Sequence, residues 1–172
     1  MWDLASLRPL SGGHIDSGAR IFSGAVLLAA AEACAQAGAQ GKADESLAAE
    51  IVDAAVNLVR SDDADVAEPG ARALAVAASF AGDAAVSPFL LAAHPEERVR
   101  RQAVTLWLAA GGPPGIIGRL AQDESPDVRA VVAHEAERAA AAAPGEADAI
   151  SALADDLHYA VRHAYAHRRG RV

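Results

Sequence analysis

Apolar residues recur along this chain in a fixed relation to one another. Four times a leucine stands eight residues before a valine: Leu58 and Val66, Leu91 and Val99, Leu120 and Val128, Leu153 and Val161. The valines follow one another at spacings of 33, 29 and 33 residues, and the residues after them are Ala67, Arg100, Arg129 and Arg162. Between each leucine and its valine lies a polar, turn-prone stretch, such as His94-Pro95-Glu96-Glu97-Arg98 or Asp123-Glu124-Ser125-Pro126-Asp127. Beyond each valine the pattern becomes helical. After Val99, residues Ala103, Leu106, Trp107 and Ala110 fall four, seven, eight and eleven positions on, which is one face of a helix. The same offsets give Gly70, Ala73, Leu74 and Ala77 after Val66, and Val132, Glu135, Ala136 and Ala139 after Val128.

Helix breakers punctuate the pattern. Gly82-Asp83, Gly111-Gly112-Pro113-Pro114 and Pro144-Gly145 each divide one unit into two helices. Asp44 and Asp83 suit the N-caps of second helices, and Pro95 and Pro126 suit the first turn of first helices. The spacing predicts helices over about 18–38 and 44–60, 65–81 and 83–93, 96–110 and 113–121, 126–142 and 146–157, and a last one over 158–168. The fold class expected is all-α, an α-solenoid of about four stacked hairpins with a short C-terminal helix. Its parts are an N-terminal extension (1–17), hairpins 18–60, 61–93, 94–121 and 122–157, and a terminal helix with a basic tail (158–172), all in one domain. Hairpins this short bury their apolar faces only by stacking on neighbours.

The run Asp123-Glu124-Ser125-Pro126-Asp127-Val128-Arg129, the weaker run His94 to Arg100, and the leucine eight residues before each valine resemble the short HEAT-like repeats of bacterial proteins, a kind also found in phycobilin lyases. The resemblance covers about 58–165 well and 18–57 loosely. It implies an architecture rather than a task, because this scaffold serves many. Two departures stand out. Ala67 occupies a position where arginine is usual, and Glu68-Pro69-Gly70 predicts a late start or a kink in the helix that contains it. In such stacks the arginine usually pairs with an acid of a neighbouring turn, here Asp123 or Asp127, rather than with a ligand.

Composition agrees with helices. Hydrophobic residues are 52% of the 172, aromatics only 4%, and alanine supplies much of the difference. Cys34 is alone, which excludes an intramolecular disulfide and zinc-finger spacing. The stretch Ile21–Ala35 is apolar and ends near a small-residue Ala-Cys-Ala, yet acidic Asp3, Asp16 and Glu32 argue against a signal peptide. With no run long enough to span a bilayer, a cytoplasmic location is expected. The net charge of −8 is uneven: residues 1–97 hold five Lys/Arg against fourteen Asp/Glu, and residues 98–172 hold ten against nine. An acidic amino-terminal half favours a basic partner and disfavours nucleic acid and anionic membranes.

Candidate chemistry is sparse. His134-Glu135 places a carboxylate at an inward offset, which a helix rotation pairing Glu135 with Arg138 would relieve; the run lacks the second histidine of a zinc-protease motif. His163 and His167 share a helical face without an evident third ligand. Arginines 98, 100, 101, 119, 129 and 138 are interleaved with acids, unlike the basic face of a nucleic-acid binder, and Trp107 lies at a core offset rather than ready to stack a base. No catalytic residue, metal site or cofactor is expected. The function expected is a non-enzymatic adaptor or scaffold that binds a protein partner on one face of the stack. Asp44, Glu45, Glu50 and Asp53 of the second helix are the candidate partner-binding residues, and an exposed end face would allow self-association. The alternative is a small-molecule-binding or lyase-like enzyme subunit, and a glycosylase-like DNA binder comes third.

Overall fold

A computed structural model of the chain describes residues 17–39, 45–80 and 87–169. These residues form ten α-helices and no strand. They fall into two compact units, residues 1–86 and 87–172. The boundary lies inside the hairpin expected over 61–93.

In the first unit α1 (Ser17–Ala39), α2 (Glu45–Val59) and α3 (Ala64–Ala77) are mutually packed, with α3 against both of the others. Asp63 caps α3: its side chain accepts from the Asp65 N–H. The helix therefore starts at Ala64, and Pro69 lies inside it rather than before it. Gly70 explains how α3 and α2 come so close. A Cβ there would stand 2.8 Å from Leu58 Cβ and 2.9 Å from the Ala55 carbonyl oxygen. Gly24 of α1 likewise lies against Pro69. The core consists of small and branched residues, including Leu27, Ala31, Ile51, Ala55, Val59, Val66 and Leu74. Cys34 is buried among them, as expected for a small apolar residue.

The second unit contains α4 (Phe89–Ala92), α5 (Glu97–Ala110), α6 (Ile116–Ala121), α7 (Pro126–His134), α8 (Ala136–Ala142), α9 (Ala147–Ser151) and α10 (Tyr159–Arg169). The long helices pack in series, α5 on α7 and α7 on α10, while α6 packs on α9 and touches α4. Val99, Val128 and Val161 are fully buried where the long helices begin, and Leu91, Leu120 and Leu153 are buried in the short elements preceding them. Trp107 is 2% exposed, and its indole N–H donates to the Pro113 carbonyl at 2.9 Å. The side chain thus anchors the turn after α5, where Gly111 takes a left-handed φ of 66°.

Several boundaries differ from those expected. Of the helix predicted over 83–93, residues 83–86, with the proposed cap Asp83, lie outside the described residues, and only Phe89–Ala92 is helical among the rest. The helix predicted over 126–142 breaks at Glu135, whose φ of −100° and ψ of 13° end α7 before α8 begins. The one predicted over 146–157 is the five-residue α9 between 3₁₀ turns at Pro144–Glu146 and Ala152–Asp155. Pro126 occupies the first turn of α7 as expected. Pro95 does not play that part in α5, because Glu96 is the N-cap and Pro95 precedes it.

Candidate binding surfaces

The turns between leucine and valine share one hydrogen-bonding scheme. The carbonyls of Leu58, Leu91, Leu120 and Leu153 accept from the N–H three residues on, those of Ser61, His94, Asp123 and Asp156. Those four residues then use their side chains in the same way. Ser61 Oγ, His94 Nδ1, Asp123 Oδ1 and Asp156 Oδ1 each accept from the N–H two residues further. A polar acceptor five residues before each valine closes an Asx-type turn and leads the chain into the next helix. Serine and histidine fill the role as well as aspartate, which is why residue identity alone hides the position.

The arginines after the valines build on these turns. Arg100 donates to the His94 and Pro95 carbonyls of its own turn, and its Nε and Nη2 reach Asp123 of the following turn at 2.8 and 3.0 Å. Arg129 repeats the arrangement, donating to the Asp123 and Glu124 carbonyls and to both oxygens of Asp156 at 2.7 and 3.1 Å. Bidentate charge-assisted contacts of this kind are among the stronger hydrogen bonds in proteins. Hydrogen bonding to Arg129 and to the His158 N–H holds the Asp156 carboxyl below its ordinary value. Hydrogen bonding to Asp123 raises the Arg100 guanidinium, against the opposing effect of burial. Of the two acids expected as partners, Asp123 is engaged by Arg100; Asp127 is exposed on the first turn of α7. Arg162 donates to the Asp156 and Leu157 carbonyls but meets no carboxylate among the described residues.

A second side-chain constellation lies in an open cleft of about 630 Å³ in the second unit, lined by Arg101, Thr105, Asp127, His134, Glu135 and Arg138 among others. Glu135 is 17% exposed and pairs with Arg138 at 3.0 Å and with His134 Nδ1 at 3.0 Å. The pairing with Arg138 is the one expected, but the helix reaches it by breaking at Glu135 rather than by rotating. The Nε of Arg101 is buried there without a hydrogen-bond partner among the described residues.

The acids proposed for partner binding divide. Glu50 and Asp53 are exposed on α2 and lie three positions apart, on neighbouring turns of one face. Glu45 is the first residue of α2, and its side chain lies outside the described residues, as does the whole of Asp44. His163 and His167 are in edge-to-face contact at 4.7 Å, and the Tyr159 ring lies tilted against His163 at 5.5 Å. No cluster of three metal-ligating side chains occurs among the described residues.

Nothing matches. Compared with protein-family models, with curated proteins and with solved structures, this chain returns no similar protein. Its reading therefore rests on its own geometry. Among the described residues, no helix is long and apolar enough to cross a membrane.

Proposed function

We propose that this chain is a HEAT-like helical stack that acts as a non-enzymatic adaptor and binds a basic protein partner through α2. The recurrence of one turn scheme at Ser61, His94, Asp123 and Asp156 carries the architectural half of the reading. Equivalent turns at near-equal spacing are what a repeat stack requires, and such stacks work by presenting extended surfaces. The exposed carboxylates of Glu50 and Asp53 support the choice of surface, in a half of the chain where acids outnumber bases.

The test is a Glu50→Gln, Asp53→Asn double variant, extended to Asp44→Asn and Glu45→Gln, in affinity capture from the native host at two salt concentrations. A partner retained by the parent and lost from the variant, with unchanged thermal unfolding, supports the reading. Equal retention by both removes α2 as the binding face.

A second reading has its own observation. The cleft beside Arg101, with a buried and unpaired Nε, suits a small anionic ligand. Intact mass measurement under native conditions distinguishes the two. A small molecule retained by the parent chain and absent from Arg101→Ala favours the cleft over the adaptor.

A further inference from the structure

The second unit shows twice how one long helix is joined to the turn that follows it. On α5, Glu97 and Arg100 do this work. Ser125 donates to the Glu97 carboxylate, and Arg100 clasps Asp123. On α7, Arg129 clasps Asp156 in the same bidentate way. Both arginines are largely covered, Arg100 at 7% exposure and the Arg129 side chain at 18%.

On α10 the corresponding positions are Tyr159 and Arg162. Arg162 keeps the inner half of the arrangement, donating through Nη1 to the Asp156 and Leu157 carbonyls. The outer half, the carboxylate, is missing among the described residues. Arg162 is exposed, Tyr159 is 68% exposed and Leu157 98%. Residues 157–172 contain four arginines and three histidines and no Asp or Glu. The guanidinium is held by two backbone carbonyls and meets no carboxylate among the described residues, and the exposed Leu157 and Tyr159 lie five and three positions before it in the chain.

We infer that the Leu157–Tyr159–Arg162 surface docks a helical partner protein through an aspartate-bearing turn, completing at Arg162 the contact that Asp123 and Asp156 complete at Arg100 and Arg129. Arginine held by carbonyls is already oriented, so less conformational freedom is lost when a carboxylate arrives. The basic character of the segment favours an acidic turn over a neutral one. Leu157 and Tyr159 supply the apolar area that an isolated ion pair lacks. A second copy of this chain does not fit the role. Its aspartates at the required turn position, Asp123 and Asp156, are engaged by its own Arg100 and Arg129, and the other two turns present Ser61 and His94.

This inference rests on the stack reading but uses a different surface from α2, and one experiment separates them. The full chain, carrying the photo-reactive p-benzoylphenylalanine in place of Leu157, is irradiated in lysate of its native host, and cross-linked peptides are sequenced. The expected product joins residue 157 to another protein, within a few residues of an aspartate in a helix–helix turn. Its yield should fall about tenfold in both Arg162→Ala and Arg162→Gln. The glutamine variant keeps a donor for the two carbonyls, so a loss in both is not simple fraying of α10. A product unchanged by these substitutions, a product with a second copy, nucleic acid or lipid, or no product at all overturns the inference. Arg129→Ala, measured beside them, reports on the stack itself: unchanged thermal unfolding there would refute the stack reading, whereas a clear loss without cross-linking refutes only the docking. Retention of the cross-link in the Glu50→Gln, Asp53→Asn variant would show that the two surfaces act separately.

Discussion

Arg129 and Asp156 stand 27 residues apart in the chain and meet through two hydrogen bonds of 2.7 and 3.1 Å. Each also belongs to its own local turn. Arg129 donates to the Asp123 and Glu124 carbonyls behind it, and Asp156 accepts from the His158 N–H ahead of it. One ion pair therefore ties together the two ends of a helical unit, and its geometry is set by backbone on both sides.

Replacing Asp156 by Asn should destabilise the second unit by about 2 kcal/mol, because a partly covered arginine loses its charged acceptor. Arg129→Ala should cost as much or more, since two carbonyls also lose a donor. Denaturant titration of each variant checks this. A loss under about 0.5 kcal/mol, the range of an exposed surface pair, would show that the contact contributes little.

The same pair predicts a dependence on pH. Arg129 and the His158 N–H depress the Asp156 carboxyl below its ordinary value. A group whose folded-state affinity for protons is lowered stabilises the fold above its unfolded pKa and loses that contribution as pH falls through the folded one. Thermal unfolding of the parent should therefore decline below the ordinary carboxylate range, near pH 4 and under. Asp156→Asn should show a shallower decline, and parallel curves would contradict the assignment.

Gly70→Ala offers a test of packing against propensity. Alanine is the better helix former by about 1 kcal/mol. The added Cβ, however, would lie 2.8 Å from Leu58 Cβ and 2.9 Å from a backbone oxygen of α2, which cannot yield without moving the helix. Overpacking of this kind costs about 1–3 kcal/mol, so the net effect should be destabilising. A variant more stable than the parent would mean that α2 and α3 are less closely apposed.

Glu146 caps α6 from a distance. Its carboxylate accepts from the Gly115 N–H at 2.7 Å and from the Gly118 N–H. Glu146→Gln should destabilise by about 1 kcal/mol through loss of a charge at a helix N-terminus. Gly118→Ala would place a Cβ 2.8 Å from the same carboxylate oxygen, but the helix propensity gained, about 1 kcal/mol, should offset the weakened contact and leave stability nearly unchanged.

Much of this was legible before folding was considered. The valines and three of the four leucines at fixed separation marked the buried ends of elements: all four valines are at most 1% exposed, and only Leu58 is half-buried. That works because a helix face has a fixed period, so burial leaves a regular trace in the chain. Arg100 was expected to pair with a neighbouring turn, and Asp123 receives it. Glu146 was missed because its contact spans 28 residues or more and no local pattern announces it. The break at Glu135 was missed because Ala136–Ala142 continues a helical composition without a Gly or Pro to signal a stop. The α2 acids could be proposed but not weighed, since a charged helix face reads alike whether it binds or merely dissolves.

By itself the sequence determined the helical class, the four turns that precede the valines and the buried side of α3, α5 and the start of α7. These follow from local preferences, from alanine content and from a period that backbone geometry imposes. Only the tertiary structure decided which arginines meet a carboxylate among the described residues. Arg100, Arg129 and Arg162 follow their valines identically, yet among the described residues only the first two meet the aspartate of a second turn. Hydrogen bonds act over about 3 Å, so their partners are chosen by how helices pack and not by the residues beside them.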